Sequence, residues 1–115
     1  MNSESIDSEA ILVITNLPDP QSAARLAEKL VEQHLAACVN ILAPCASVYR
    51  WQGKIENATE TPLLIKTVRT HYGKVEEAIR INHPYELPEI IAIPIESGLP
   101  AYLSWVAAQT CSMEK

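Results

Sequence analysis

The chain has 115 residues, a length that favours one domain around one hydrophobic core. Apolar residues make up 48% of the sequence and charged residues 20%, as is usual for a globular protein. The formal net charge is −5 and the nine Lys and Arg residues form no basic run, which argues against nucleic acid as the main partner. No apolar run approaches the roughly 20 residues that span a bilayer, so no membrane insertion is expected.

The first nine residues are polar and acidic, and we expect a flexible N-terminal tail at 1–9 before a single domain at 10–115. This tail lacks the basic start and apolar centre of a secretory signal. The three cysteines, Cys38, Cys45 and Cys111, are an odd number without close pairing, which indicates a reducing compartment rather than a disulfide framework. The sequence therefore predicts a cytoplasmic protein.

The chain begins with a predicted strand and a predicted helix. The stretch AILVIT, from Ala10 to Thr15, is a short run of branched apolar residues that is typical of a strand buried on both faces. Asp19 is a favourable N-cap, and Pro20 fits the first helical position because its missing N–H has no helical partner there. A helix with one apolar face is expected to follow and to end near His34 or Leu35.

A hairpin, a long strand and a second helix are predicted next. Residues 36–49 are strand-like but interrupted at Pro44, and Gln52-Gly53 is typical of a hairpin turn. The stretch Thr59–Val68 predicts a long strand with LLIKTV at its centre. Apolar residues at helical spacing predict a helix from Thr70 to about Ile81.

A stiff segment leads into the last strand. The stretch HPYELPEII runs from His83 to Ile91, and Pro84 and Pro88 fix φ within it. The apolar run from Glu89 to Ile95 predicts a strand, and a short helix is expected from Ala101 to about Thr110.

The predicted order is β-α-β-β-α-β with an added C-terminal helix, which is an α+β, ferredoxin-like sandwich with two helices on one face of an antiparallel sheet. The strands AILVIT, PLLIKTV and IIAIPI show little polar alternation, so the second face of the sheet is expected to be apolar as well. An uncovered apolar face usually contacts another subunit. The sequence therefore predicts a homo-oligomer with closed symmetry.

Several stretches together resemble one protein family. They are LAACVNI (Leu35–Ile41), VYRWQGKIE (Val48–Glu56), ETPLLIKT (Glu60–Thr67), HPYELPEII (His83–Ile91) and YLSW (Tyr102–Trp105). In this order they resemble the CutA divalent-cation tolerance proteins over about residues 11–105. The resemblance implies a compact trimer of ferredoxin-like subunits, similar to the trimers of PII signalling proteins. It also implies a link to copper tolerance and the binding of divalent metals, without an organic cofactor.

Two residues are candidate metal ligands. Cys38 occupies the AAC position of the resemblance, and a thiolate is a good ligand for Cu(I) or Zn; alternatively, Cys38 is a small buried residue at the start of a strand. His83 precedes a proline and is expected to be extended. Its neutral imidazole could bind a metal, or it could contact the last carbonyls of the preceding helix. The sequence has no CxxC or HxxxH pair, so no closed zinc site is predicted from local spacing.

Five further residues are candidates for a ligand-binding or intersubunit cleft: Tyr49, Trp51, Lys66, Tyr85 and Glu89. Tyr85 and Glu89 lie in the stiff segment, which suits a groove between subunits; alternatively, its prolines only end pairing at a sheet edge. Lys66 interrupts an apolar strand, so it either pairs with a carboxylate such as Glu89 or points to solvent. Tyr49 and Trp51 lie near the hairpin tip, where they either dock a neighbouring subunit or form the wall of a pocket.

The leading hypothesis is a cytoplasmic homotrimer that binds divalent or soft metal ions, copper in particular, and contributes to metal tolerance. The alternative is a PII-like signalling or scaffold trimer that binds a small ligand or a partner protein between subunits. The sequence has only three glycines and no Gly-rich phosphate loop, and the spacing of Cys38, His83 and Glu89 does not require a catalytic nucleophile, so no enzyme is predicted.

Overall fold

A computed structural model describes residues 9–111 of the chain. The strands are β1 (Ala10–Leu17), β2 (Cys38–Ile41), β3 (Cys45–Trp51), β4 (Lys54–Val68) and β5 (Ile90–Pro94). The helices are α1 (Pro20–Glu32), α2 (Tyr72–Asn82), which follows a 3-10 turn at Arg69–His71, and α3 (Pro100–Gln109). The predicted N-terminal tail lies outside the described residues except for Glu9, whose carboxylate pairs with Arg69 at 3.1 Å.

The sheet is antiparallel, with the order β2-β4-β1-β5, and β3 pairs with the first half of β4. Residues 60–63 are the point where β4 changes partner, because Glu60 is the last residue opposite β3 and Leu63 the first opposite β2. Pro62 lies in this gap, where its missing N–H removes no hydrogen bond to β2 or β3. The predicted interruption of the strand-like residues before β3 is confirmed.

One face of the sheet is covered by α1 and α2. As predicted, α1 begins with Pro20, and Asp19 Oδ1 accepts a hydrogen bond from the Ser22 N–H at 2.8 Å. The core between these layers contains Ile11, Val13, Leu17, Ala23, Leu26, Leu30, Leu63, Ile65, Val75 and Ile79. The ferredoxin-like α+β sandwich predicted from the element order is therefore confirmed.

The opposite side of the sheet, which we call the open face, is largely uncovered within one chain. Strand register places the apolar residues Leu12, Ile14, Leu64, Ile91 and Ile93 on it. Ile91 and Ile93 are 47% and 45% exposed. The second face is thus as apolar as the sequence predicts.

Helix α3 covers one end of the open face. It contacts β4 and β1, and Ala10 and Val68 are buried at that end although they point away from α1 and α2. Val106 of this helix is buried, whereas its aromatic residues Tyr102 and Trp105 are 39% and 42% exposed. None of the helices in residues 9–111 is long and apolar enough to cross a membrane.

Strand β3 and the first half of β4 form a hairpin arm, residues 45–60. Its turn is at Gln52 and Gly53, as predicted, and both have positive φ, +51° and +82°. Glycine tolerates this region without steric strain, which explains its place in the turn. Val48 and Ile55 on the arm are 68% and 63% exposed.

Candidate functional site

The predicted site residues form two groups in the structure. His83 and Glu89 both contact Asn16, near the end of β1. Cys38 lies opposite Lys66, which in turn lies opposite Leu12 of β1. Leu12 and Asn16 are four residues apart, about 13 Å at the rise of a strand. One chain therefore does not bring Cys38 and His83 within reach of a single metal ion.

His83 is buried directly after α2, in the predicted extended conformation, with φ −100° and ψ 135°. Its Nε2–H donates to the carbonyl oxygen of Asn16 at 2.6 Å, and its Nδ1 accepts the Tyr85 N–H at 3.2 Å. These two bonds fit the tautomer that carries its proton on Nε2. The metal-ligand role of His83 stays a prediction, and a metal ion would have to replace one of these two bonds.

Asn16 connects His83 to Glu89. The Asn16 carbonyl holds the imidazole, while its side-chain Nδ2–H donates to Glu89 Oε1 at 3.0 Å. Glu89 lies one residue before β5, so its position is fixed by the start of that strand. The sequence allowed Lys66 to pair with Glu89. In the structure the ammonium group of Lys66 donates instead to the side-chain oxygen of Asn40.

Tyr85 connects the stiff segment to the hairpin arm. Its hydroxyl lies beside the carboxylate of Glu60, to which the Ser47 hydroxyl donates at 2.6 Å. Burial, followed by the hydrogen bond and charge of Glu60, raises the pKa of Tyr85 to about 12, and the charge of Tyr49 adds to this shift. The Tyr85 ring also packs against His83, with ring centroids 4.7 Å apart.

Glu60 is 8% exposed and forms no ion pair with any residue in the described part of the chain. A buried carboxylate is costly unless hydrogen bonds compensate for the lost water. Here the Ser47 hydroxyl supplies one, and the Tyr85 hydroxyl lies beside the same carboxylate. Glu60, Ser47 and Asn16 are site residues that the sequence pattern did not indicate. The available signal was an acidic residue at the boundary where a polar stretch becomes the apolar strand TPLLIKTV.

Cys38 is the first residue of β2 and is half-buried on the open face. The side chain of Tyr102, from α3, lies near it. Burial, followed by the nearby Cys38, raises the pKa of the Tyr102 hydroxyl. Cys45 is exposed at the start of the hairpin arm, with its Sγ 3.9 Å from Ser47 Oγ. Between residues 9 and 111, no three His, Cys, Asp or Glu side chains converge as a metal site would require.

Tyr49 and Trp51, the two aromatic residues of the hairpin arm, lie in different surroundings. Tyr49 lies opposite Glu56, is 44% exposed, and is near enough to Tyr85 for its charge to act there. Trp51 lies opposite Lys54 beside the turn and is half-buried. Tyr49 therefore belongs with the Tyr85 group, whereas Trp51 marks the tip of the arm.

Comparison with known proteins gives a consistent result. The family model described as CutA1 divalent ion tolerance protein matches residues 11–109. The Thermus thermophilus divalent-cation tolerance protein CutA is 42% identical over 102 residues, which is 89% of this chain and 98% of that protein. The crystal structure of CutA from Xylella fastidiosa superposes with a TM-score of 0.87 at 42% identity, covering 90% of this chain and 99% of the other. The periplasmic divalent cation tolerance protein CutA from Archaeoglobus fulgidus gives 0.85 at 39% identity, covering 88% and 98%.

Proposed function

Because the chain belongs to the CutA1 divalent ion tolerance family, we propose that it is a homotrimer that binds divalent or soft metal ions, copper in particular. Relatives named for divalent-cation tolerance support a role in metal tolerance. The observation that carries the metal proposal is the Cys38 thiol, half-buried on the open face beside Lys66. Thiolate is the ligand type that soft ions such as Cu(I) prefer. The proposal assigns no catalytic step to the chain.

The trimer is proposed from the open face. Branched side chains such as Ile91 and Ile93 keep almost half of their surface in water within one chain. Burying apolar surface contributes roughly 25 cal/mol per Å², so packing copies together on this face is favourable. Since residues 9–111 bring no three metal-binding side chains together, we propose that ligands from more than one copy complete the site around Cys38.

We propose a cytoplasmic location, because a reducing compartment keeps Cys38 as a thiol. The Archaeoglobus fulgidus relative is named as periplasmic, so location differs within the family. Fractionation of cells followed by immunoblotting tests this point. A signal confined to a membrane or extracytoplasmic fraction would contradict it.

Titration of Cu(I) into reduced protein, with a chelator as competitor, tests the metal proposal. We expect Cys38→Ser to weaken Cu(I) binding by at least about tenfold, because an alcohol is a poor ligand for a soft ion. Cys45→Ser is the matched control, since Cys45 is exposed on the hairpin arm, and its Cu(I) affinity should equal that of the natural chain. Equal affinities in all three proteins would remove Cys38 from the site.

A second candidate is a PII-like trimer that binds a small ligand or a partner protein between subunits. The network of Glu60, Tyr85, His83 and Asn16 favours it, because Glu60 and His83 are buried at positions where apolar residues would serve stability equally well. A thermal-shift screen of metals and small metabolites separates the two candidates. If metals raise the unfolding temperature and no metabolite does, the ligand-binding version fails.

A further inference from the structure

Two histidines from other elements hold the C-terminal end of α3. His34 Nδ1–H donates to the carbonyl of Gln109 at 3.0 Å, and His71 Nε2–H donates to the carbonyl of Thr110. The last carbonyls of a helix lack partners within the helix. The final turn of α3 has no basic residue of its own. The two imidazoles therefore supply the donors that the sequence of α3 does not.

His34 makes this contact from an unfavourable backbone conformation. Its φ is +60°, and the N–H groups of His34 and Leu35 bond back to the carbonyls of Val31 and Leu30 at 3.0 and 2.9 Å. This is the Schellman ending of a helix, in which glycine is the usual residue because a Cβ is strained there. A non-glycine residue persists in such a position when its surroundings favour it, and here the ring gains the bond to Gln109.

The remaining attachment of α3 rests mainly on Val106, with Leu103 and Ala107 partly buried. A helix of ten residues is not stable by itself in water, so α3 depends on its docking contacts. Val106 is its only buried residue, and Tyr102 and Trp105 remain substantially exposed. At its N-terminal end, Tyr102 lies near Cys38. Cys38 is opposite Lys66, two residues along β4 from Val68, which is buried at the end of the open face that α3 covers. The helix is about 15 Å long, so it extends from the thiol at one end to the two histidines at the other.

We propose that α3 is a lid over Cys38 and that His34 and His71 hold this lid closed. The lid controls how readily a reagent or an ion reaches the thiol, since release of the C-terminal end frees the helix that carries Tyr102. The inference rests on the proposed function in one respect, because it takes Cys38 as the functional thiol that α3 covers. The movement of α3 itself requires no metal.

Alkylation of Cys38 by iodoacetamide, followed by peptide mass spectrometry, tests the lid. The exposed thiol of Cys45 in the same molecule is the internal reference. His34→Gly and His71→Ala each remove one donor, and we expect each to accelerate alkylation of Cys38 relative to Cys45 about fivefold, the equivalent of one hydrogen bond. His34→Gly also removes the strain at φ +60°, so this variant should fold at least as well as the natural chain.

Two conservative variants serve as matched controls. In His34→Asn the amide nitrogen takes the place of Nδ1, and asparagine tolerates positive φ. In His71→Gln the amide nitrogen takes the place of Nε2. Both should restore the alkylation rate of the natural chain. If the controls react as fast as the loss variants, or if no variant differs from the natural chain, the lid is overturned.

Hydrogen exchange of the α3 amides provides a second readout that remains valid if another copy covers Cys38. The loss variants should exchange faster in α3 alone, while the strands keep their protection; uniform exchange throughout α3 in all variants would overturn the proposal. Copper titration is independent of both readouts. Failure of copper binding with the expected alkylation pattern would refute the metal proposal and leave the lid standing, and the reverse result would refute the lid only.

Discussion

The two faces of the sheet differ in how much of their apolar surface a single chain buries. Under α1 and α2, residues such as Val13 and Ile65 are 0% exposed. On the open face, the alternate residues of β1 and β4, such as Leu12, Ile14 and Leu64, are equally apolar but only partly buried. On the edge strand β5, Ile91 and Ile93 are 47% and 45% exposed. Alternate residues along β1 and β4 therefore face different environments. One side is buried within the chain, and the other is left partly exposed.

The difference also separates stability from function. The face under the helices is closely packed and contains a single buried side-chain atom without a hydrogen-bond partner among the described residues, Thr15 Oγ1. The open face carries Cys38, Lys66, Asn40 and Asn16 between its apolar residues. Cys38 and Lys66 thus lie on the side that one chain leaves uncovered, where a second copy or an ion can reach them.

The largest expected effect is on the covered face. Ile65→Ala should lower the free energy of unfolding by about 2–5 kcal/mol, because it leaves a cavity in a fully packed core. Urea denaturation followed by circular dichroism measures this change. A loss below about 1 kcal/mol would mean that the core relaxes around the cavity and that the two faces are less different than their burial indicates.

A smaller effect is expected from charge on the open face. Ile91→Asp with Ile93→Asp should leave the chain folded and raise the dissociation constant of the oligomer at least about 100-fold, since buried unpaired carboxylates are costly. Ile81→Asp is the control, because Ile81 is 71% exposed on α2 and away from the open face. Light scattering over a dilution series measures assembly. A natural chain that is already a monomer would contradict the proposed trimer.

The smallest expected effect concerns the Tyr85–Glu60 hydrogen bond. Folding raises the pKa of Tyr85 from 10.0 to about 12, so its contribution to stability is complete below pH 10 and is lost as the pH rises toward 12. Tyr85→Phe should therefore be less stable than the natural chain at pH 9, and the difference should shrink at pH 11. Denaturation at the two pH values measures this difference. A constant difference would show that Tyr85 acts through packing alone.

Local signals in the sequence were sufficient for the fold. Asp19 and Pro20 predicted the start of α1, and Gln52-Gly53 predicted the hairpin turn, because capping and positive φ depend on adjacent residues. The apolar strands predicted a second face that one chain leaves uncovered. The position of α3 on that face was beyond prediction, since its apolar residues are not confined to one side and only Val106 is buried.

The contacts of the candidate site depend on residues far apart in sequence. Asn16 meets His83 and Glu89 across 67 and 73 positions, and only the register of the sheet determines which residue of β1 lies there. Glu60 became a site residue because Tyr85, from another segment, reaches it. Residues with reactive or metal-binding side chains can be recognised in the sequence. Their hydrogen-bond partners can be identified only in the folded chain.

Strand β4 runs without interruption for 15 residues, through both the hairpin arm and the centre of the sheet. At the rise of a strand it is about 50 Å long, close to the 48 Å longest dimension of the molecule. The hairpin arm and the centre of the sheet share this one strand, so no loop lies between them. The place of Trp51, opposite Lys54 at the outer end of the strand, is therefore set by the same backbone that carries Lys66 at the centre of the sheet.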